Sequence, residues 1–76
     1  MENLKTKKII DEIARIRKKD GISCEYIADK LTITTAGYWK IENGYTNLSV
    51  ERLFQISEIL GISLSVLLEE VKLIKL

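Results

Sequence analysis

Apolar residues recur at helical rather than strand spacing along the whole chain. Over residues 4–20, Ile9, Ile13 and Ile16 stand at i, i+4 and i+7, with Lys, Arg, Asp and Glu on the opposite face, which predicts an amphipathic helix. Ser23 is placed to cap a short second helix containing Ile27, Ala28 and Leu31, with Glu25 in the first turn, where the helix dipole favours an anion. Thr32 and Ile33 make a turn, and Thr34 caps a third helix in which Tyr38 and Ile41 face inward. A polar loop, Tyr45-Thr46-Asn47, follows Gly44. Ser49 then caps a fourth helix that buries Leu53, Ile56 and Leu60. Ser63 caps a fifth, with Leu64, Leu67, Leu68, Val71 and Ile74 along one side. Gly21, Gly44 and Gly61 each follow such a stretch, where a left-handed cap ends a helix. Period-two alternation is confined to residues 71–74. The pattern predicts an all-α, compact five-helix bundle.

Composition narrows what such a bundle can do. Seventy-six residues leave room for one domain, residues 1–76, and none for a separate sensor domain. A hydrophobic share of 46% is enough for a modest core and too high for a disordered segment. With no His and a single cysteine, Cys24, the chain excludes an internal disulfide, zinc sites built on Cys and His, and chemistry that needs a His base. Acids and lysines are scattered, and no Ser has a base near it in the deduced fold. The expectation is no enzyme, no cofactor and no metal. No apolar run approaches the roughly 18 residues of a membrane span, and the Lys-rich start lacks the apolar stretch of a signal peptide, which points to a soluble cytoplasmic protein without a membrane partner.

The net charge of +1 implies no polyanionic partner, but its distribution is uneven. Residues 1–19 carry seven Lys/Arg against three acids, whereas residues 20–47 carry two lysines against four acids. Lys5, Lys7 and Lys8 therefore read both as an arm that crosses a phosphate backbone and as an ordinary solvated helix face. Glu69 and Glu70 read as a solvated face.

Two short helices joined by a turn of about four residues, inside a bundle, are the outline of a helix-turn-helix. Ala28 is small where the second helix must approach. Pinning by Ile33, Tyr38 and Ile41 leaves Thr35, Ala36, Trp39, Lys40 and Asn43 facing out. Five pieces stand in order: Ile13-Ala14-Arg15-Ile16-Arg17 ahead of Gly21 and Ile22-Ser23; Ile27-Ala28; Ile41-Glu42-Asn43-Gly44; Leu53-Phe54-Gln55-Ile56; and Leu60-Gly61-Ile62-Ser63 ahead of Leu67-Leu68. On these residues the chain from 13 to 68 resembles the Cro/phage-repressor type of DNA-binding domain, the XRE family, with its lambda repressor-like fold.

The resemblance implies roles position by position. Arg17 and Glu42 match a paired Arg and Glu that lock the first helix to the recognition helix. Thr34, Thr35, Ala36 and Lys40 match positions facing bases or phosphates in the major groove. Asn43, Tyr45, Thr46 and Asn47 match the loop that grips the backbone, and Ser23 and Cys24 stand at the helix N-terminus that meets a phosphate. The residue chemistry agrees: Lys40 reaches a guanine edge or a phosphate, and the Thr35 methyl packs on a thymine methyl. Trp39 adds an exposed aromatic that stacks on DNA, contacts a partner or folds back onto Tyr45.

The chain also departs from the family pattern. Cys24 stands where Gln is usual, leaving its backbone N–H as the phosphate donor; it also reads as a small space-filling residue or a redox-sensitive thiol. Thr32 stands where Gly is usual in the turn. Ala36 and Gly37 occupy places where longer base readers are common. Leu64, Leu67, Leu68, Val71 and Ile74 exceed what so small a bundle covers, so residues 64–76 form a candidate dimerisation segment; folding back over Leu4 and Ile9 is the alternative.

Together these features predict a sequence-specific regulator of transcription, a repressor acting as a homodimer on double-stranded DNA at a partly palindromic operator. The rival is a helix-turn-helix module with a protein partner, antitoxin-like or another regulator, in which DNA contact is vestigial.

Overall fold

In a computed structural model describing residues 4–72, α1 runs Leu4–Lys19, α2 Cys24–Leu31, α3 Thr35–Glu42, α4 Val50–Leu60 and α5 Leu64–Glu70. No strand occurs among the described residues. Four of the five helices begin on a hydroxyl cap: Ser23, Thr34, Ser49 and Ser63 each accept the backbone N–H three residues on. Each cap satisfies one of the N–H groups that a helix start leaves without a carbonyl.

The first four helices end in one motif. After α1, Ile22 N–H reaches the Arg17 carbonyl at 2.9 Å and Gly21 N–H that of Lys18 at 3.1 Å. The same paired bonds close α2 through Ile33 and Thr32, α3 through Tyr45 and Gly44, and α4 through Ile62 and Gly61. Three connections are consequently the same tripeptide in kind, a left-handed residue, an isoleucine and a hydroxyl cap: Gly21-Ile22-Ser23, Thr32-Ile33-Thr34 and Gly61-Ile62-Ser63. Each isoleucine is half-buried and rests against the core.

That core draws on all five helices: Ile13 and Ile16, Ile27 and Leu31, Tyr38, Ile56 and Leu67 among others. Helix α1 buries a wider arc than Ile9, Ile13 and Ile16 alone predict. It is covered by both α3 and α5, so Ile10 is enclosed and Ile9 is only half-buried. Arg52 fastens α4 to α2 by donating to the Leu31 carbonyl at 3.3 Å, a cation at a helix C-terminus. Arg15 fastens α1 to α5, lying 2.6 Å from Glu12 and 3.7 Å from Glu70; its hydrogen bond holds the Glu12 carboxyl down to a pKa of about 2.

The C-terminal stripe needs correction at one residue. Leu67 is fully enclosed by its own chain and is unavailable to a partner, because α5 lies across α1 and α4 and Leu67 is the side chain that fills the space between them. Leu64, Leu68 and Val71 are half-buried, and Ile74 lies outside the described residues. Among the described residues no helix is long and apolar enough to cross a membrane, and no group of acids or Cys is placed to hold a metal.

Thr32 closes α2 in the left-handed region, at φ 61° and ψ 41°. A β-branched residue is disfavoured there, whereas glycine is not. Thr32→Gly is expected to stabilise the protein by about 0.5–1 kcal/mol, net of the added freedom of the unfolded chain. Urea unfolding measures this, and an unchanged or lower midpoint would show the turn to be unstrained.

Candidate nucleic-acid interface

Helix α3 is held by its inner face. Tyr38 is completely buried and Ile41 nearly so, while Thr35, Ala36, Trp39, Lys40 and Asn43 are all exposed. The anchor on that inner side is polar. Arg17 Nε and Nη2 each donate to one Glu42 carboxylate oxygen at 2.9 Å, a two-pronged bond spanning 25 residues. The remaining prong, Nη1, donates to the Ile22 carbonyl at 2.9 Å, so Arg17 also holds the hinge between α1 and α2. Tyr38 completes the group by donating its hydroxyl to Glu42 at 2.6 Å.

Titration behaviour follows from this geometry. Burial alone would raise the Glu42 pKa. The hydrogen bonds from Arg17 and Tyr38, together with the Arg17 charge, outweigh burial and hold it below the usual carboxylate value. Burial, and then the Glu42 carboxylate, push the Tyr38 phenol well above its ordinary value, so it remains a donor. The Arg17–Glu42 contact is the pairing implied by the family resemblance. Tyr38 reads from sequence as a core residue, and its second role is signalled only by the four-residue spacing to Glu42, which puts both on one helix face.

On the outer side, the hydroxyls of Ser23 and Thr34 accept from the N–H groups of Tyr26 at 3.0 Å and Gly37 at 2.9 Å. Each keeps its own hydrogen for donation outward. Cys24 is half-buried and packs against the core, so only its backbone faces the helix start. The Asn43 side chain donates to the Trp39 carbonyl at 2.9 Å and is thereby folded onto its own helix. Tyr45, Thr46 and Asn47 are exposed in the loop after α3. Trp39 does fold back on Tyr45, with ring centroids 5.6 Å apart and planes 14° from parallel. In the N-terminal segment Lys7 pairs with Asp11 at 3.1 Å along the exposed face of α1.

Such a surface suits a polyanion only in part. It offers hydroxyl and backbone donors at the starts of α2 and α3, the Lys40 ammonium on α3, and an aromatic pair between α3 and the loop that follows it. A family model described as "Helix-turn-helix" matches residues 13–67, which takes in α2, α3 and both partners of the lock. No curated protein and no solved structure matches the chain at a significant level.

The lock generates a graded set of expectations in chemical denaturation. Arg17→Ala leaves the Glu42 carboxylate half-buried without its cation and should lower stability by about 3 kcal/mol. Tyr38→Phe removes one bond to a charged acceptor and should cost about 1.5–3 kcal/mol. Because the folded-state pKa of Glu42 lies below its unfolded value, its contribution is complete at neutral pH and is lost as pH falls below about 4.5. Glu42→Gln should therefore flatten the acid limb of the stability curve, and a limb as steep as in the wild type would assign acid sensitivity to other carboxylates.

Proposed function

The chain belongs to the Cro/C1-type (XRE) family of helix-turn-helix domains, a family of DNA-binding transcriptional regulators; from that premise we propose that it is a cytoplasmic repressor acting as a homodimer on a partly palindromic operator, with α3 in the major groove. The observation that carries this reading is the state of α3: a two-turn helix locked by its inner face whose outward residues are all exposed. Ser23 and Thr34 hydroxyls, the amides at the starts of α2 and α3, and Tyr45, Thr46 and Asn47 supply phosphate contacts, and with Lys40 they position the helix. Lys40 and Thr35 discriminate bases. Dimerisation through residues 64–76 uses Leu64, Leu68 and Val71, with Leu67 supporting them from within and Ile74 extending the segment.

One observation favours the second reading, a module whose partner is a protein: residues 20–47 carry four acids against two lysines, a poor charge balance for a surface approaching a polyanion. Steep weakening of binding with salt belongs to DNA; association insensitive to salt belongs to the protein partner.

Selection from a random duplex pool tests the proposal. The expected result is an inverted repeat with half-sites about 10 bp apart; no retention even at low salt would overturn it in favour of the protein partner. On the selected site, Lys40→Ala should relax specificity at one base pair by about 1–3 kcal/mol. An equal loss on every sequence would make Lys40 a phosphate contact alone.

A further inference from the structure

Polar base readers are scarce on the outer face of α3. Thr34 accepts as a cap and points its remaining hydrogen toward phosphate in the proposed pose, and Asn43 is tied to Trp39 O by one amide hydrogen. That leaves Thr35 and Lys40 as the polar side chains not bonded to their own helix. Ala36 lies between them at the middle of the exposed face, too short to read a base but small enough to let the helix approach one. What the face has in quantity is apolar surface. Trp39 is 50% exposed and Tyr45 74% exposed, and the two rings lie against each other. Thr35, four residues before Trp39, adds its methyl to the same side of the helix.

This stack is built by the backbone. Tyr45 N–H donates to the Lys40 carbonyl at 2.8 Å and Gly44 N–H to that of Ile41 at 3.2 Å, with Gly44 at φ 79°, and the reversal delivers the Tyr45 ring onto Trp39. At the equivalent position of the other three helix ends stand Ile22, Ile33 and Ile62, all turned to the core. Only at the end of α3 does this position carry an aromatic side chain left in solvent. A rigid aromatic pair with few rotatable bonds is a ready contact surface whose ordering cost is already met by the fold.

We propose that the Trp39–Tyr45 stack is a specificity element that reads the 5-methyl groups of thymines in the major groove. This rests on α3 being the DNA-facing helix. Among the base edges in that groove the thymine methyl is the one apolar group, and an apolar side chain meets it without leaving a polar atom unpaired. Trp39 supplies the contact, and Tyr45 holds the indole in place from behind.

The experiment uses the duplex that the protein retains, with each thymine replaced in turn by deoxyuridine, which removes the methyl and keeps the pairing. Affinity of the wild-type protein should fall about fourfold at one or two positions, the equivalent of about 0.8 kcal/mol per buried methyl. The same replacements are then measured with Trp39→Ala, whose fold is checked by its thermal transition; the fourfold effect should disappear there, because the two changes remove one contact. Unchanged wild-type affinity at every position would overturn the proposal without help from any variant. So would deoxyuridine effects that persist at every position in Trp39→Ala, or a Trp39→Ala protein that keeps its DNA affinity and methyl sensitivity but loses a salt-insensitive protein partner. Failure of the wild type to retain any duplex would instead overturn the DNA reading beneath the proposal, and it is scored before any base is altered.

Discussion

A guanidinium shared between a carboxylate and a carbonyl sets the geometry of this protein. Arg17 reaches across 25 residues to Glu42 with two prongs and steadies the Ile22 hinge with a third. The contact sits where its parts are mostly shielded from water, with side-chain exposures of 11% and 9%. Such a pair is not chosen for raw stability, since apolar residues of the same volume serve that purpose as well. Its value lies in direction. Apolar packing of Tyr38 and Ile41 tolerates a small rotation of α3 about its axis, whereas a planar fork facing a carboxylate does not. The rotation of α3 decides which five side chains meet a ligand, so the lock determines the composition of the surface.

Much of this fold is legible in the chain because its punctuation is local. Hydroxyl residues precede α2 to α5, and left-handed residues follow α1 to α4, each acting on backbone groups within a few residues, so spacing alone locates them. Tyr38 is harder to read. Its burial follows from helical periodicity, but its bond to Glu42 depends on a hydroxyl at the end of an otherwise apolar ring. The C-terminal stripe fails differently: periodicity tells which residues share a face of α5 and is silent about what covers that face, and Leu67 proves to be covered by its own chain. The outward set on α3 is readable by subtraction, since residues that cannot be inward must be outward. Which of those residues keeps a free polar group is not readable, because Asn43 closes onto its own helix through a bond that depends on its rotamer.

Placing Trp39 and Tyr45 on one surface links backbone conformation to chemistry. The reversal at Gly44 is the same device that ends three other helices, yet here the loop runs on through Thr46, Asn47 and Leu48 before the next cap at Ser49. In the shorter connections the hinge isoleucine has the following helix immediately beside it and joins the core. After α3 the following helix starts later, and the side chain at that position stays beside its own helix. Connection length, rather than the residue alone, decides whether the hinge side chain serves packing or contact.

The repeated tripeptide hinges have a kinetic consequence. Two of them join helices that pack on each other, α2 to α3 and α4 to α5, so little loop entropy has to be lost before those contacts form. Helical chains of this kind assemble in microseconds to milliseconds. A newly made chain therefore passes rapidly through states in which apolar side chains such as Leu67 are uncovered, and has little time to associate through them before the bundle closes.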